Sequence, residues 1–161
     1  KRVSEPTIVR WTTQMLDAIA YLHDNHIVHR DVKPLNVFLT EDKRVKMGDF
    51  GMASNLKGID KASTQVGTPC YLAPEVLQHQ DYGPAVDVWG IGCILWEMLT
   101  LDFLWDRKGM LSLQVLSRPI TAADMPQSNS FHLRKLASDM LNKEPSLRPS
   151  PQRASRSLSA A

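Results

Sequence analysis

The stretch VHRDVKPLNVFL, residues 28–39, gathers Asp31, Lys33 and Asn36 in one short segment and then turns apolar at Val37, Phe38 and Leu39. A core strand disfavours such polar groups at its entrance, and a solvated loop disfavours three apolar residues at its exit. The mixture fits a loop that aims polar side chains into a cleft while the strand after it anchors the loop.

Downstream, the apolar runs NVFLT and RVKMGDF are separated by Glu41, Asp42 and Lys43, which predicts a β-hairpin. Asp49, Phe50 and Gly51 follow at once, and Gly51 permits a sharp change of backbone direction. Residues 52–66, rich in Ser, Thr, Lys and Gly, read as a long mobile loop, a length that compact domains keep for function. The stretch GTPCYLAPE, 67–75, predicts a turn-rich clamp that leads into a short helix.

Upstream, residues 4–25 predict an amphipathic helix. Ser4 can cap it, Pro6 suits its first turn, and Ile8, Trp11, Met15, Ile19 and Leu22 recur at spacings of three and four. The polar cluster His23, Asp24, Asn25 and His26 ends it. Residues 85–99, AVDVWGIGCILWEML, are apolar nearly all round. The run is too short for a bilayer and carries Asp87 and Glu97, so it predicts a buried central helix. Residues 131–142 predict another amphipathic helix, with Leu133, Leu136, Met140 and Leu141 on or near one face. After Arg148 the composition collapses into Ser, Arg, Ala and Pro, and residues 150–161 are expected to be a disordered tail.

The 161 residues suffice for one domain with a real core, and an apolar fraction of 43% excludes a wholly disordered chain. A net charge of +2 gives no sign of a nucleic-acid or membrane partner, and neither is expected. Cys70 and Cys93 form no metal or disulfide framework by spacing. They fit a reducing, cytoplasmic setting, with cytoskeletal or nuclear association left open and Cys93 in the core. The chain begins at Lys1 inside a helical pattern, without a signal-peptide pattern, and reads as a piece of something longer.

Asp31 lies before the hairpin and Asp49 after it, so both can face one cleft. Asp49 and Asn36 offer hard oxygen ligands of the kind Mg²⁺ takes while keeping water and phosphate in the rest of its shell. Lys33 places a compact positive charge where a transferring phosphoryl group develops negative charge. Asp31 is then free to orient a hydroxyl nucleophile and accept its proton. His23, His26 and His29 recur every third residue, but the first two end a helix and a zinc site needs a tighter set of four.

His29-Arg30-Asp31 with Lys33 and Asn36, then Asp49-Phe50-Gly51, then Ala73-Pro74-Glu75, resemble the catalytic segments of eukaryotic protein kinases, in that family's order and spacings. The resemblance implies an α+β, protein kinase-like fold: a mainly helical C-terminal lobe with a small β-hairpin at the cleft. Residues 1–149 would be this partial catalytic domain, with the N-terminal lobe absent. It further implies Asp31 as catalytic base, Lys33 as the phosphate-contacting lysine, Asn36 and Asp49 as Mg²⁺ ligands, and Phe38 as the floor of the adenine pocket. His29 and Phe50 would belong to a packed column aligning the site. Asp87 would hold the catalytic-loop backbone, and Glu75 and Arg148 would form a buried ion pair.

Lys33 and GTPCYLAPE further resemble the serine/threonine branch, in which Thr68 would hydrogen-bond the Asp31 and Lys33 pair. NVFLT, the glycine before Asp49 and QVGTPCYLAPE resemble the NIMA-related (NEK) subfamily. Arg30 beside Asp31 implies pairing with a phosphate on the activation loop, with Thr64 the first candidate for that phosphate and Ser63 the second. The implied activity is Mg-ATP-dependent phosphoryl transfer to Ser or Thr hydroxyls of proteins. The implied partners are ATP, the protein substrates and the missing N-terminal lobe of the same protein.

No glycine-rich phosphate loop, strand lysine or partner helix glutamate occurs in these residues, so the chain alone is expected to bind ATP poorly. The surface near Phe38 that would face the missing lobe is expected to be apolar and exposed. The alternative is a non-catalytic, pseudokinase-like or lobe-only scaffold. Retention of every catalytic side chain of this lobe argues against it.

Overall fold

A computed structural model describes residues 2–51, 53–55, 71–104 and 118–159. Helix α1 (Glu5–Asp24) starts after Ser4, whose extended backbone lets its carbonyl accept from Thr7 and Ile8 N–H. Its buried face carries Ile8, Thr12, Met15, Leu16 and Ile19. Trp11 lies at the rim of that face, where its indole N–H donates to the Lys43 carbonyl at 3.0 Å.

A short helix α2 (Pro74–Leu77) precedes α3 (Ala85–Thr100), which is buried on every side from Val86 to Leu95. Helix α4 (Phe131–Met140) is capped by Ser130, whose hydroxyl accepts from Leu133 N–H at 3.5 Å. The main core joins Met15, Leu16 and Ile19 of α1 to Ile91, Leu95 and Leu99 of α3 and to Leu133, Leu136 and Met140 of α4. Each such side chain taken fully out of water contributes about 1.5–3 kcal/mol. Among the described residues the helices far outweigh the strands, each of which is two or three residues long.

The expected hairpin forms. Strand β2 (Val37–Leu39) pairs antiparallel with β3 (Val45–Met47), with Val37 opposite Met47 and Leu39 opposite Val45. Its turn closes through Thr40 N–H to the Arg44 carbonyl at 2.9 Å, with Lys43 in the left-handed region at φ 58°. Gln14 of α1 accepts from Val45 N–H at 2.8 Å, so α1 holds the hairpin at both Lys43 and Val45. A second pair joins β1 (Ile27–Val28) to β4 (Ser54–Asn55), antiparallel. Two residues of the segment read as a long loop therefore pair with the strand that precedes the loop of Asp31, Lys33 and Asn36.

The expected disordered tail is a correction. Residues Pro151–Ser159 form helix α5, and Pro151, Ala154 and Leu158 are buried at spacings of three and four. Ala154 and Leu158 join the main core. Ser155 Oγ donates to Asp17 at 2.7 Å and Gln152 donates to Asp24 at 3.2 Å, tying α5 to α1. Ser150 caps the helix, its hydroxyl accepting from Arg153 N–H and its carbonyl from Ala154 N–H, and Pro151 occupies the first turn, where its missing N–H costs nothing. A stripe of Pro, Ala and Leu among serines and arginines was masked by the polar composition. The packed unit therefore extends past Pro149 to Ser159. Among the described residues, no helix is long and apolar enough to cross a membrane.

Candidate active site

The loop from His29 to Asn36 hangs from α3. Asp87, 1% exposed in the first turn of α3, accepts from His29 N–H at 2.9 Å, Arg30 N–H at 2.8 Å and His23 Nε2 at 2.8 Å. Three donors satisfy a carboxylate that burial would otherwise penalise. They also hold Arg30 in the left-handed region at φ 69°, a conformation costly for any residue with a Cβ. Gly90, one turn along α3, completes the seat: a Cβ there would lie 2.7 Å from both Cβ and the carbonyl oxygen of Val32.

His29 links this loop to the segment after the hairpin. Its Nε2–H donates to the Gly48 carbonyl at 3.1 Å, while Nδ1 accepts from Asp31 N–H at 3.4 Å. These two partners define the tautomer. The His29 ring also lies 5.1 Å from that of Phe50, tilted by 46°. A second tie runs from Gly48 N–H to the Asn36 carbonyl at 3.0 Å. The loop of residues 29–36 and residues 48–50 are thus one hydrogen-bonded unit.

Asp31 is the convergence point. Its Oδ2 meets Lys33 Nζ at 2.8 Å and Asn36 Nδ2 at 2.9 Å, and the same Asn36 nitrogen reaches the Asp31 carbonyl at 2.8 Å. Because the Asn36 amide nitrogen is spent on Asp31, its carboxamide oxygen is left as an acceptor. Asp49 is exposed, sits at φ 58°, and takes a 3.3 Å bond from Gly51 N–H on Oδ1.

No group of three or more His, Cys, Asp or Glu side chains gathers among the described residues, so a metal held wholly by such ligands has no site there. One carboxylate and one carboxamide oxygen instead fit a cation that draws few ligands from protein and the remainder from water and phosphate, which is the habit of Mg²⁺.

Around this centre Leu35, Phe38, Leu39 and Phe50 are exposed large apolar side chains, with Phe38 at 54%. Gly48 makes room for the Phe38 ring, since a Cβ there would fall 2.8 Å from its edge. Below, Glu75 and Arg148 form a buried bidentate pair at 2.6 and 2.7 Å. Arg148 also donates to the carbonyls of Asn142 and Ala85, and its guanidinium lies 5.0 Å from the Trp89 ring. Arg30 rests over the Tyr82 ring at 5.5 Å.

The structure therefore brings His29, Asp31, Lys33 and Asn36 together and ties them to Gly48 and Phe50, with Asp87 beneath. Thr68, Thr64 and Ser63 lie outside the described residues. Sequence reasoning passed over three supports: His23, read only as a helix end, and Trp11 and Gln14, which grip the hairpin. The signal for His23 was present as a polar residue in the last turn of α1, close in sequence to the loop that begins at His29.

The helical body thus carries an Asp–Lys–Asn loop hydrogen-bonded to the segment that leads into Asp49-Phe50-Gly51. The protein kinase domain profile matches residues 1–158, and the chain belongs to the protein kinase domain family. It is 42% identical over 147 residues to serine/threonine-protein kinase Nek3 of Oryza sativa subsp. japonica, covering 91% of this chain and 25% of that protein. It is 41% identical over 147 residues to serine/threonine-protein kinase Nek4 of Mus musculus, covering 91% of this chain and 19% of that one. With serine/threonine-protein kinase Nek11 of Homo sapiens the identity is 39% over 147 residues, with 91% and 23% covered. The chain is thus NEK-like, and it spans a quarter or less of the length of these relatives.

Proposed function

We propose that these residues form the catalytic lobe of a serine/threonine protein kinase, which moves the γ-phosphoryl group of ATP to a Ser or Thr hydroxyl of a protein. Asp31 orients the hydroxyl and takes its proton as the oxygen attacks phosphorus and the bond to the ADP oxygen breaks. Lys33 stands within 2.8 Å of that carboxylate and offers its charge to the transferring phosphoryl group. Asn36 and Asp49 would hold Mg²⁺, which supplies charge neutralisation to the phosphates when bound. Phe38 floors the adenine site, and Thr68 hydrogen-bonds the Asp31 and Lys33 pair. Arg30 receives a phosphate on Thr64, or on Ser63, and orders the activation loop. A lobe of the same protein, carrying a glycine-rich loop and a lysine, covers Leu35, Phe38, Leu39 and Phe50.

The observation that carries this reading is the convergence of Lys33 Nζ and Asn36 Nδ2 on one oxygen of Asp31, in a loop bonded twice to Gly48 beside Asp49. The test joins this chain to a lobe bearing a glycine-rich loop and a strand lysine. Transfer of radiolabelled γ-phosphate from ATP to a Ser/Thr protein substrate is then measured. Asp31→Asn is expected to lower the rate roughly 10²–10⁴-fold, the range of a general base. Background transfer by the unmutated joined protein, with partner binding intact, would establish the scaffold role instead. Measurable transfer by residues 1–161 alone would remove the need for the second lobe.

A further inference from the structure

Among the described residues, strand β3 has a strand neighbour on one side only. The residues flanking it turn backbone groups toward the β2 side: the Arg44 carbonyl accepts from Thr40 N–H at 2.9 Å, and Gly48 N–H donates to the Asn36 carbonyl at 3.0 Å. The Lys43 carbonyl and Val45 N–H point the other way, to α1. There the Trp11 indole N–H donates to the Lys43 carbonyl at 3.0 Å, and Gln14 Oε1 accepts from Val45 N–H at 2.8 Å. A parallel strand would offer the same donor and the same acceptor from its backbone. Here two side chains three apart on α1, neighbours on one helix face, take its place.

The substitution matters because a hairpin of two short strands is marginal by itself. Its underside, Val37, Val45 and Met47, packs half-buried against the main core. Apolar contact of that kind is non-directional and holds the hairpin without fixing its tilt. Hydrogen bonds are directional, so the bonds from Trp11 and Gln14 set how β3 lies on α1. Phe38 stands on the opposite face of β2 from Val37 and Leu39. It is paired with Lys46 of β3, and its ring edge rests against Gly48 at the end of that strand. A shift of β3 therefore moves both the strand beside Phe38 and the seat of its ring.

We infer that Gln14 and Trp11 are positioning residues for Phe38, acting as a side-chain strand that fixes the cleft floor from outside the cleft. This rests on the reading of Phe38 as the floor of the adenine site and adds the groups that place it. Neither residue need touch the nucleotide. Loss of the Gln14 acceptor oxygen is expected to loosen Phe38, while a change that keeps an acceptor there is not.

The test places 4-fluorophenylalanine at position 38 of this chain and follows it by ¹⁹F NMR. Gln14→Leu keeps the volume and removes the acceptor. It is expected to broaden the fluorine line about twofold through exchange, and to quicken hydrogen exchange at Val45 N–H about tenfold. Gln14→Glu, whose carboxylate still accepts, should restore both. If thermal melting shows that Gln14→Leu does not fold, Trp11→Phe, which keeps an aromatic ring and removes the N–H, carries the same expectation. Leu136→Ala, which opens the core under α4, controls for general loss of stability and should leave the fluorine line unchanged. In the joined protein of the transfer assay, Gln14→Leu should raise KM for ATP about tenfold and leave kcat within about twofold. If the fluorine line ignores Gln14→Leu, or broadens as much with Leu136→Ala, Phe38 keeps its role and Gln14 loses the one inferred here. If the line responds but KM for ATP does not, the adenine reading of Phe38 fails and this inference with it.

Discussion

Asp87 and Asp49 are both acids of the site, yet Asp87 accepts three hydrogen bonds beneath the loop at 1% exposure, whereas Asp49 stands exposed at φ 58° with a single 3.3 Å bond from Gly51. The cations repeat the contrast. Arg148 spends its N–H groups on both oxygens of Glu75 and on backbone carbonyls, while Arg30 has the face of Tyr82. In the lower region charge is consumed in holding backbone. At the edge, charge is held in place by its neighbours and left available. Substitutions below should therefore be read in stability, and substitutions at the edge in chemistry.

The largest stability loss is expected at the buried pair. Glu75→Gln keeps the volume and leaves the Arg148 guanidinium without its counter-charge, at a cost of about 3–5 kcal/mol. Denaturant unfolding measures it. Replacing both partners, Glu75→Leu with Arg148→Met, should cost less than Glu75→Gln alone, because no orphaned charge remains. A loss under about 1 kcal/mol for Glu75→Gln would mean that the pair behaves as a solvent-exposed one and would erase the contrast.

Next comes the helix that the composition concealed. Leu158→Ala removes a side chain that is 4% exposed in the main core, and is expected to cost about 2–5 kcal/mol by the same measurement. A truly unstructured tail would lose nothing.

That helix also shows where sequence legibility ended. Helix α1 and the hairpin were readable because their periods, 3.6 and 2, are carried by large apolar residues within a dozen positions. The loop of Asp31, Lys33 and Asn36 was readable because its contacts are local: Asn36 bonds Asp31 five positions away. Helix α5 was not, because Pro151 and Ala154 bury little and only Leu158 marks the face. His23 was not, because its partner Asp87 is 64 positions on and nothing local announces it. The Glu75–Arg148 pair, 73 positions apart, was anticipated from family resemblance alone. Periodicity reports one element at a time, and polar partners are chosen between elements.

Gly90 tests how firmly the lower region seats the upper. Gly90→Ala suits helix propensity by itself, yet its Cβ would fall 2.7 Å from the Val32 carbonyl oxygen, a backbone atom that cannot swing aside. The expected net cost is about 1–3 kcal/mol. Hydrogen exchange at Arg30 and His29, whose amides donate to Asp87, should quicken more than exchange in α4. Equal acceleration everywhere would mean that the substitution weakens the domain as a whole rather than its grip on the loop.

Asp49→Asn is expected to have the smallest effect on stability and so sharpens the comparison most. The side chain is exposed, its bond from Gly51 can be kept by a carboxamide oxygen, and asparagine tolerates the left-handed backbone at least as well as aspartate. Unfolding free energy should therefore move by no more than about 0.5 kcal/mol. The substitution nevertheless removes the negative charge from the two residues proposed to hold Mg²⁺, Asn36 and Asp49, and neutral ligands attract a divalent cation far less. In the joined protein of the transfer assay, phosphoryl transfer should fall steeply, and added Mg²⁺ should restore part of it. If Asp49→Asn instead unfolds the domain as Glu75→Gln is expected to, the exposed acid is structural after all. The division between a saturated floor and a free edge would then have to be redrawn around Asp31.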